Sequence, residues 1–213
     1  MPQPILHDYY RSSAAYRVRI ALGLKGVEYD RHVVNLAQGD QKLAEFRAKN
    51  PQGLIPCLEI DGLVLTQSLA ICDYLDAKYD AAPFVPSDPA ERSHVLALGL
   101  TVACDIHPLN NLRVLKYLTG ELGVEELAKD AWYRHWVSEG LGALEALAAP
   151  RAGTWLFGDS PTLADICLVP QLYNARRFAV PLDPYPTLRR ADGAAANHPA
   201  FAAAHPDCQE QAS

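Results

Sequence analysis

Short apolar runs and amphipathic stretches alternate over the first 80 residues of the chain. Continuous apolar runs predict strands, whereas apolar residues that recur every three to four positions predict helices. The pattern predicts, in order, a strand at 5–6, a helix at 14–24, a strand at 29–35, a helix at 42–49, strands at 54–60 and 63–65, and a helix at 68–78. Asp61-Gly62 is a strong hairpin turn signal between the last two strands. The order β-α-β-α-β-β-α predicts one small α/β layer that ends in an antiparallel hairpin.

Three prolines within residues 83–89 interrupt both kinds of pattern and mark the expected boundary between two domains. Helical spacing dominates the remainder, in stretches at 90–106, 110–118, 125–148, 162–169, 171–178 and 187–196. Thr162-Leu-Ala-Asp165 has the form of a capping box, and the tail from about His205 is expected to fray. We therefore expect an α/β domain over residues 1–84 and an all-helical domain over residues 90–213.

The composition is that of a globular protein with an ordinary apolar core. Of the 213 residues, 49% are hydrophobic and 21% are charged, close to the averages for globular domains. No apolar run approaches the ~20 residues of a membrane span, and the N-terminus lacks the basic start and apolar core of a signal peptide. We expect a cytoplasmic protein without a membrane segment. The formal charge of −6 argues against nucleic acid as a partner, because phosphate binding needs clustered Lys and Arg.

The cysteines and histidines do not indicate a metal site. The five cysteines are an odd number without a Cys-x-x-Cys pair, so we interpret them as small buried thiols in a reducing compartment. The histidines other than His107 follow no metal-ligand spacing. We expect no metal.

Polar residues at two predicted helix starts suggest anion binding. Arg11-Ser12-Ser13 leads directly into the first helix, where backbone N–H groups, two hydroxyls and a guanidinium together can hold an anion. The alternative is that Ser12 or Ser13 only caps the helix. Gln67-Ser68 begins another helix, and its N–H groups, hydroxyl and side-chain amide suit a carboxylate.

The bond Ile55-Pro56 lies in a predicted strand, where a proline cannot donate to a ladder. A cis bond would turn the N–H and C=O of Ile55 outward, toward the backbone of a peptide ligand. The sequence does not choose between cis and trans. Together with the two helix starts, this bond describes an anionic, peptide-like ligand bound by an α/β domain.

With these motifs in place, the chain is similar to the zeta class of glutathione transferases, the maleylacetoacetate isomerases. The most specific segment is 11–22 (RSSAAYRVRIAL), which resembles the class signature. The resemblance continues nearly to the end of the chain, through 50–56 (NPQGLIP), 105–111 (DIHPLNN), 168–171 (LVPQ), 174–178 (NARRF) and 183–186 (DPYP). It implies the glutathione transferase fold, with a thioredoxin-like α/β N-terminal domain and an all-α C-terminal domain.

The resemblance also implies roles for individual residues. Ser12 would hydrogen-bond the sulfur of glutathione, with Ser13 in the same pocket, and Arg11 and Arg177 would face the carboxylates of the substrate. The remaining residues implied to bind glutathione, the last three by closing over it or over the substrate, are Gln41, Ile55 through its backbone, Gln67, Ser68, His107, Asn111 and Arg113. Many class members have Cys two residues after the first Ser, whereas this chain has Ala14, which argues against a protein thiol in the site.

The implied activity is the glutathione-dependent cis–trans isomerisation of maleylacetoacetate to fumarylacetoacetate, in the breakdown of tyrosine through homogentisate. The implied partners are glutathione as cofactor, a small dicarboxylate ene-dione as substrate, and a second copy of the chain in a homodimer. Alternatives are maleylpyruvate isomerisation in the gentisate route, and transferase or dehalogenase activity on small α-halo acids. A binding module without catalysis is disfavoured, because it would not need Ser12 and the arginines.

Some of these side chains also have purely structural interpretations. Arg17 and Arg19 lie two apart on a helix and cannot both face one ligand, so we interpret them as structural or surface ion-pair residues. His107 precedes Pro108 and is equally well explained as a helix-end residue. Of the adjacent Arg176 and Arg177, at most one is expected to reach the site, and the motif favours Arg177.

Overall fold

The computed structural model describes residues 2–209, which divide into two compact units. Within the described residues, the first unit is 2–84 with 196–209, and the second is Val85–Ala195. The boundary between Phe84 and Val85 lies inside the proline-rich segment. The expected helical domain over 90–213 therefore differs from the observed grouping, since residues 196–209 belong to the first unit. Residues 210–213 lie outside the described part of the chain.

A four-stranded sheet forms the centre of the first unit. Its strands are β1 (Ile5–Asp8), β2 (Asp30–Val33), β3 (Cys57–Ile60) and β4 (Leu63–Thr66). In the sheet order β2-β1-β3-β4, β1 pairs parallel with β2 and antiparallel with β3, and β3 and β4 form the expected hairpin. Asp61 and Gly62 have φ values of 54° and 76°, and a two-residue hairpin turn of this kind needs positive φ at both positions.

Helices cover both faces of this sheet. They are α1 (Ser13–Leu24), α2 (Ala44–Lys49), α3 (Ser68–Lys78) and, from the end of the chain, α9 (Pro199–Ala204), with short 3₁₀ turns at Asp40–Lys42 and Pro206–Cys208. Side chains alternate along β1, so Asp8 contacts α1 while His7 contacts Phe46 of α2, with ring centroids 5.9 Å apart. The predicted β-α-β-α-β-β-α order and the thioredoxin-like fold are confirmed.

Helix α9 explains why the C-terminal residues belong to the first unit. A Cβ at Gly23 of α1 would lie 3.2 Å from the Cβ of Ala200, so glycine permits α1 and α9 to approach closely. The Arg19 Nε also donates to the carbonyl oxygen of Ala204 at 3.0 Å. The expected fraying from His205 is therefore wrong for 205–209, which include the turn Pro206–Cys208.

The buried ion pair of Arg19 and Asp8 lies where α1 meets β1. Both side chains are fully buried, and Arg19 Nη1 donates to Asp8 Oδ1 at 2.7 Å. Arg31 Nε donates to the other carboxylate oxygen of Asp8 at 2.5 Å, and Arg19 Nη2 donates to the carbonyl of Tyr10 at 3.1 Å. The interpretation of Arg19 as an ion-pair residue is correct, although the pair lies in the interior and not at the surface.

Five α-helices make up most of the second unit. They are α4 (Pro89–Leu100), α5 (Leu112–Gly120), α6 (Glu126–Ala148), α7 (Leu163–Arg177) and α8 (Pro186–Ala196), with a π-helical segment at Thr101–Ile106 and a 3₁₀ turn at Pro108–Asn110. The sequence predicted a break at Pro170, but α7 runs through it. Because every residue from Leu163 to Leu172 is buried, packing outweighs the one backbone hydrogen bond that the proline removes.

Two local features fix the course of these helices. Thr162 and Asp165 form the predicted capping box, and the Asp165 carboxylate also accepts the N–H of Leu156 at 2.9 Å. Burial raises the pKa of Asp165 to about 6, against the opposing effect of its hydrogen bonds. A Cβ at Gly140 of α6 would lie 2.2 Å from Ile106 Cγ1, so glycine is needed where α6 meets the π-helical segment.

One helical run is relevant to the expectation that the chain has no membrane segment. By length and composition alone, Pro89–Gly120 could cross a membrane, since one 18-residue window reaches a mean hydropathy of 1.2. This is weak evidence, because a core helix of a soluble protein passes the same test. Val95, Leu98, Val102 and Ile106 of this run are buried within the protein. The absence of a membrane segment stays a prediction.

The α2 face of the sheet holds a buried histidine beside a cavity of about 350 Å³. His7 is 4% exposed, and its Nε2 lies 2.6 Å from Glu59 Oε1, which also accepts Lys49 Nζ at 2.5 Å. Burial lowers the pKa of His7, while the hydrogen bonds from Lys49 and His7 lower the pKa of Glu59. The pair is therefore a neutral imidazole that donates to a carboxylate.

We expect Arg19→Met to lower the free energy of unfolding by about 3–5 kcal/mol, because it leaves the Asp8 carboxylate buried with only one of its two arginines. Urea denaturation followed by circular dichroism measures the change. The matched control is Arg189→Met, which removes a surface partner of Asp183 and should change stability by less than about 0.5 kcal/mol. Equal effects of the two substitutions would contradict a structural role for the buried pair.

We expect His7 to make stability depend on pH. Its folded-state pKa lies below the ordinary value of about 6.5, so below that pH the unfolded chain binds a proton that the folded protein resists. This contribution to stability is present above about pH 6.5 and is lost as the pH falls. Unfolding free energies of the protein and of His7→Gln, measured between pH 5 and 7.5 (about half a unit apart), should show a shallower slope in the variant. Equal slopes of unfolding free energy against pH in the two proteins would contradict a lowered pKa of His7 in the folded state.

Candidate active site

Ser12 occupies the N-cap position of α1, where its hydroxyl is half-buried. The Ser12 Oγ accepts the N–H of Ala15 at 3.2 Å, and its own N–H donates to the carbonyl of Tyr9 at 2.8 Å. A serine hydroxyl has one donor hydrogen and two acceptor lone pairs, and the cap uses only a lone pair. The helix-capping and anion-binding interpretations of Ser12 are therefore compatible, since the O–H can still donate to an anion at the positive end of α1.

The neighbours of Ser12 differ in their exposure. Ser13 is buried in the first turn of α1, whereas Arg11 is exposed, with its guanidinium carbon 4.7 Å from the centre of the Tyr10 ring. Ala14 brings no thiol to this turn. Burial raises the pKa of the Cys57 thiol, next to Pro56, to about 11, so that thiol stays protonated. The first turn thus offers the Ser12 hydroxyl and the Arg11 cation to a ligand, and its described residues include no thiol.

The Ile55-Pro56 bond is cis, which answers the question that the sequence left open. Within residues 2–209, neither the N–H nor the C=O of Ile55 has a hydrogen-bond partner, and β3 begins only at Cys57. The residue itself is 9% exposed. Its backbone donor and acceptor are free to pair with a ligand's amide groups.

Gln41 and the loop before Ile55 lie against each other. Gly53 has a φ of 60°, and a Cβ there would lie 2.9 Å from the carbonyl oxygen of Gln41. Asn50 holds the loop by donating to the carbonyl of Leu54 at 2.6 Å. Gln41 is 9% exposed and its Oε1 is buried without a partner. An unpaired buried acceptor costs about 1–3 kcal/mol, so a ligand donor at this point would be stabilising.

The start of α3 carries two of the predicted site residues. Ser68 is the first helical residue, and the cap position belongs to Gln67, whose side chain makes no capping bond. Gln67 has a φ of 66°, which costs a non-glycine residue about 1–3 kcal/mol, and its Nε2 donates to Gln52 Oε1 at 2.8 Å. Ser68 Oγ accepts Arg17 Nη1 at 3.4 Å. The first-turn N–H groups have no partner within the helix and can bind a carboxylate.

In the second unit, three of the predicted site residues lie within seven positions of one another. His107 is half-buried at the end of the π-helical segment, and Asn111 caps α5 by accepting the N–H of Arg113 at 3.1 Å. The Arg113 side chain is exposed in the first turn of α5. Their part in binding glutathione or substrate stays a prediction.

The two adjacent arginines at the end of α7 make different contacts. Arg176 forms an ion pair with Asp192 of α8. Arg177 is exposed, donates to Asn174 Oδ1 at 3.2 Å, and its guanidinium carbon lies 5.9 Å from the Tyr173 and Phe178 ring centres. Within the described part of the chain Arg177 has no acidic partner. Of the two, Arg177 is therefore the one without an ion pair among residues 2–209, and its part in binding the substrate stays a prediction.

The structure connects site residues that the sequence could not connect. Arg17 joins α1 to Ser68, and Gln52 joins the loop before the cis bond to Gln67. Neither Arg17 nor Gln52 was among the predicted site residues. For Arg17 the reason is that helical spacing alone does not show whether Arg17 or Arg19 faces α3. Across residues 2–209, no group of three or more His, Cys, Asp or Glu side chains is placed to hold a metal ion. The expected absence of a metal stays a prediction.

Comparison with known proteins shows the family of this chain. Residues 11–78 match the family model of the glutathione S-transferase N-terminal domain, and residues 130–209 match that of its C-terminal domain. The chain is 50% identical over 211 residues to a probable maleylacetoacetate isomerase of Vibrio cholerae, an alignment that covers 98% of both proteins.

Solved structures give the same result. The holo structure of a maleylpyruvate isomerase, described as a bacterial glutathione S-transferase of the zeta class, superposes with a TM-score of 0.95 at 44% identity, covering 98% of this chain and all of that one. The maleylacetoacetate isomerase of Anaeromyxobacter dehalogenans, with bound GSH in its active site, superposes with a TM-score of 0.89 at 42% identity, covering 99% and 98% of the two chains. The chain belongs to the glutathione S-transferase family and, within it, to the zeta class that includes these isomerases.

Proposed function

We propose that the protein is a glutathione-dependent cis–trans isomerase that converts maleylacetoacetate to fumarylacetoacetate. The observation that carries the proposal is the Ser12 hydroxyl, half-buried at the positive end of α1 with its hydrogen free to donate. In a zeta-class chain this is the group expected to contact a thiolate. The 50% identity to a probable maleylacetoacetate isomerase supports the choice of substrate.

The polar groups of the first unit fit glutathione, which is an anionic peptide. The free N–H and C=O of Ile55 suit a peptide backbone, and the unpaired Oε1 of Gln41 suits an N–H donor. The N–H groups at the start of α3, with the Ser68 hydroxyl and the Gln67 amide, suit the γ-glutamyl carboxylate. Ser13 lies in the same first turn of α1 as the expected sulfur contact. The relative crystallised with GSH has the same fold throughout.

Bound glutathione supplies a thiolate that adds reversibly to the cis double bond and so permits rotation about it. An unperturbed thiol with a pKa of about 8.5 is only about 3% thiolate at pH 7. The Ser12 hydroxyl donates to the sulfur, and the α1 N-terminus places partial positive charge beside it, so both favour the anion. Each unit by which they lower the thiol pKa corresponds to about 1.4 kcal/mol of stabilisation of the charged form.

The substrate carries carboxylates, which need cationic or hydrogen-bonding partners. We assign this role to Arg11, exposed next to Ser12, and to Arg177, which has no acidic partner within the described residues. His107, Asn111 and Arg113 are assigned to glutathione or the substrate on the resemblance to the zeta class. The net charge of the chain is −6. This does not conflict with the binding of a dianion, because binding depends on the charges near the site, such as Arg11 and Arg177, and not on the total.

Maleylpyruvate is the second candidate substrate. The observation in its favour is the TM-score of 0.95 to a zeta-class maleylpyruvate isomerase. The two substrates share a cis-ene-dione and a carboxylate at each end, so the same contacts serve either one. Purified protein supplied with each cis compound, with and without glutathione, distinguishes them by the rate at which the ene-dione absorbance changes.

We expect turnover that requires glutathione and a higher kcat/KM for maleylacetoacetate than for maleylpyruvate. The opposite ranking would favour the second candidate. Isomerisation that is independent of glutathione, or no turnover of either compound, would show that the proposed function is wrong. Conjugation of glutathione to small α-halo acids, measured in parallel, tests the further alternative of a general transferase or dehalogenase.

We expect Ser12→Ala to lower kcat/KM by about 10- to 100-fold, the range for loss of a hydrogen bond to a charged group. The pH profile of kcat/KM should also shift to higher pH, because the thiol loses a donor that favours its anion. Since alanine also removes the helix cap, Ser12→Asp serves as a second variant that keeps a capping oxygen but has no donor when ionised.

The matched control for these variants is Ser160→Ala, which alters an exposed serine of the second unit and should leave both turnover and stability unchanged. Full turnover in Ser12→Asp would place the sulfur contact elsewhere in the site. Stability measured by thermal denaturation separates a loss of activity from a loss of folding.

We propose further that the protein is a cytoplasmic homodimer. The support for a dimer is the zeta-class resemblance together with Leu63 and Val64 of the edge strand β4, each 47% exposed. The support for a reducing compartment is that all five cysteines are free thiols, although Cys104 and Cys208 are exposed and not buried as the sequence predicted. Light scattering of the purified protein and fractionation of cells test the two statements separately.

A further inference from the structure

Arg17 of α1 is a buried cation whose hydrogen-bonding groups are mostly unused. Its side chain is in the core, where the residue is 2% exposed. One of its three guanidinium nitrogens, Nη1, donates to Ser68 Oγ at 3.4 Å. The other two, Nε and Nη2, are buried and have no partner among residues 2–209.

Arg19, two residues along the same helix, shows how the fold normally satisfies such a group. Arg19 uses all three nitrogens, on Asp8, Tyr10 and Ala204, and its charge is balanced by a buried carboxylate. Arg17 has no ion pair within residues 2–209. A buried ion without a counter-charge is destabilising, so Arg17 does not stabilise the ligand-free protein. The presence of this buried charge is explained if an anionic ligand binds next to it.

The position of Arg17 indicates where that anion binds. Its one partner, Ser68, is the first residue of α3, and the unpaired N–H groups of the first turn favour negative charge there. Ser68 is 7% exposed. The helix start, the Ser68 hydroxyl and the buried guanidinium thus all favour an anion at the start of α3.

We propose that Arg17 is a positioning residue for the γ-glutamyl carboxylate of glutathione, an inference that rests on the proposed function. By donating to Ser68 Oγ, Arg17 occupies a lone pair of that oxygen and leaves the hydroxyl hydrogen to point at the ligand. Its positive charge is neutralised by the carboxylate when glutathione binds. The buried cation destabilises the ligand-free protein, and pairing with the carboxylate removes this destabilisation in the complex.

The first test separates this role from a structural one. Arg17→Met keeps an unbranched apolar side chain about as long as the aliphatic part of arginine and removes the charge, so the ligand-free variant should be as stable as the original protein or have a higher Tm. Calorimetry should show that its Kd for glutathione is raised by about 10- to 100-fold, the range for a hydrogen bond to a charged group. Arg17→Lys retains the charge without the fork of donors and should bind glutathione with intermediate affinity.

The second test identifies the ligand group. An analogue in which 4-aminobutanoyl replaces the γ-glutamyl residue lacks only the α-carboxylate and keeps the amine. Arg17→Met should change the Kd of this analogue by less than about twofold, because the group that Arg17 serves is missing. A double-substitution cycle with Ser68→Ala should be non-additive, since Arg17 is argued to act through Ser68. Arg189→Met is the control for the loss of one positive charge at the surface.

The outcomes distinguish this inference from the proposed function. If the original protein binds glutathione and Arg17→Met binds it equally well, the role of Arg17 is refuted while the function stands. A large fall in the Tm of ligand-free Arg17→Met with an unchanged Kd would also refute it, because Arg17 would then be a structural residue. If the original protein binds no glutathione, the proposed function fails, and the inference fails with it.

Discussion

The Asp8 carboxylate, buried between two arginines, is the interaction on which the placement of the first unit's site depends. Through Arg19 it ties β1 to α1, and Arg19 in turn holds the carbonyl of Tyr10, one residue before Arg11 and Ser12. The Nε of the same guanidinium donates to the carbonyl oxygen of Ala204, at the end of α9. The loop that carries the candidate sulfur contact is thus fixed from the core, which gives the Ser12 hydroxyl a defined position at the start of the helix.

The two arginines of α1 show that burial alone does not reveal what a charged residue does. Both are almost inaccessible to solvent, at 2% and 1% exposure. Arg19 is fully paired and stabilises the fold, whereas Arg17 has two unpaired nitrogens next to a helix start that favours anions. The difference follows from the helix turn, which directs residues two apart to different neighbours, one toward the sheet and one toward α3.

The sequence predicted the elements whose signals are local. The turn at Asp61-Gly62 and the capping box at Thr162 depend on backbone geometry within a few residues, and both were found where the motifs placed them. The errors concern places where distant contacts decide. Helix α7 continues through Pro170 because burial outweighs one lost hydrogen bond, and α9 packs closely on α1 beside Gly23. The cis state of Ile55-Pro56 was also beyond the sequence, because either isomer is accessible to an X-Pro bond.

The candidate site, too, could be predicted from the sequence only in part. The residue types and their spacing were sufficient to indicate an anionic, peptide-like ligand and, through the 11–22 segment, the family. The tertiary structure decided that Ser12 caps α1 with its hydroxyl hydrogen still free, that Gln41 keeps an unpaired oxygen, and that Arg17 lies against Ser68. The sequence specifies which donors and acceptors exist, because those are properties of single residues. Which of them remain unused depends on what every other part of the chain has already satisfied, and only the folded structure contains that information.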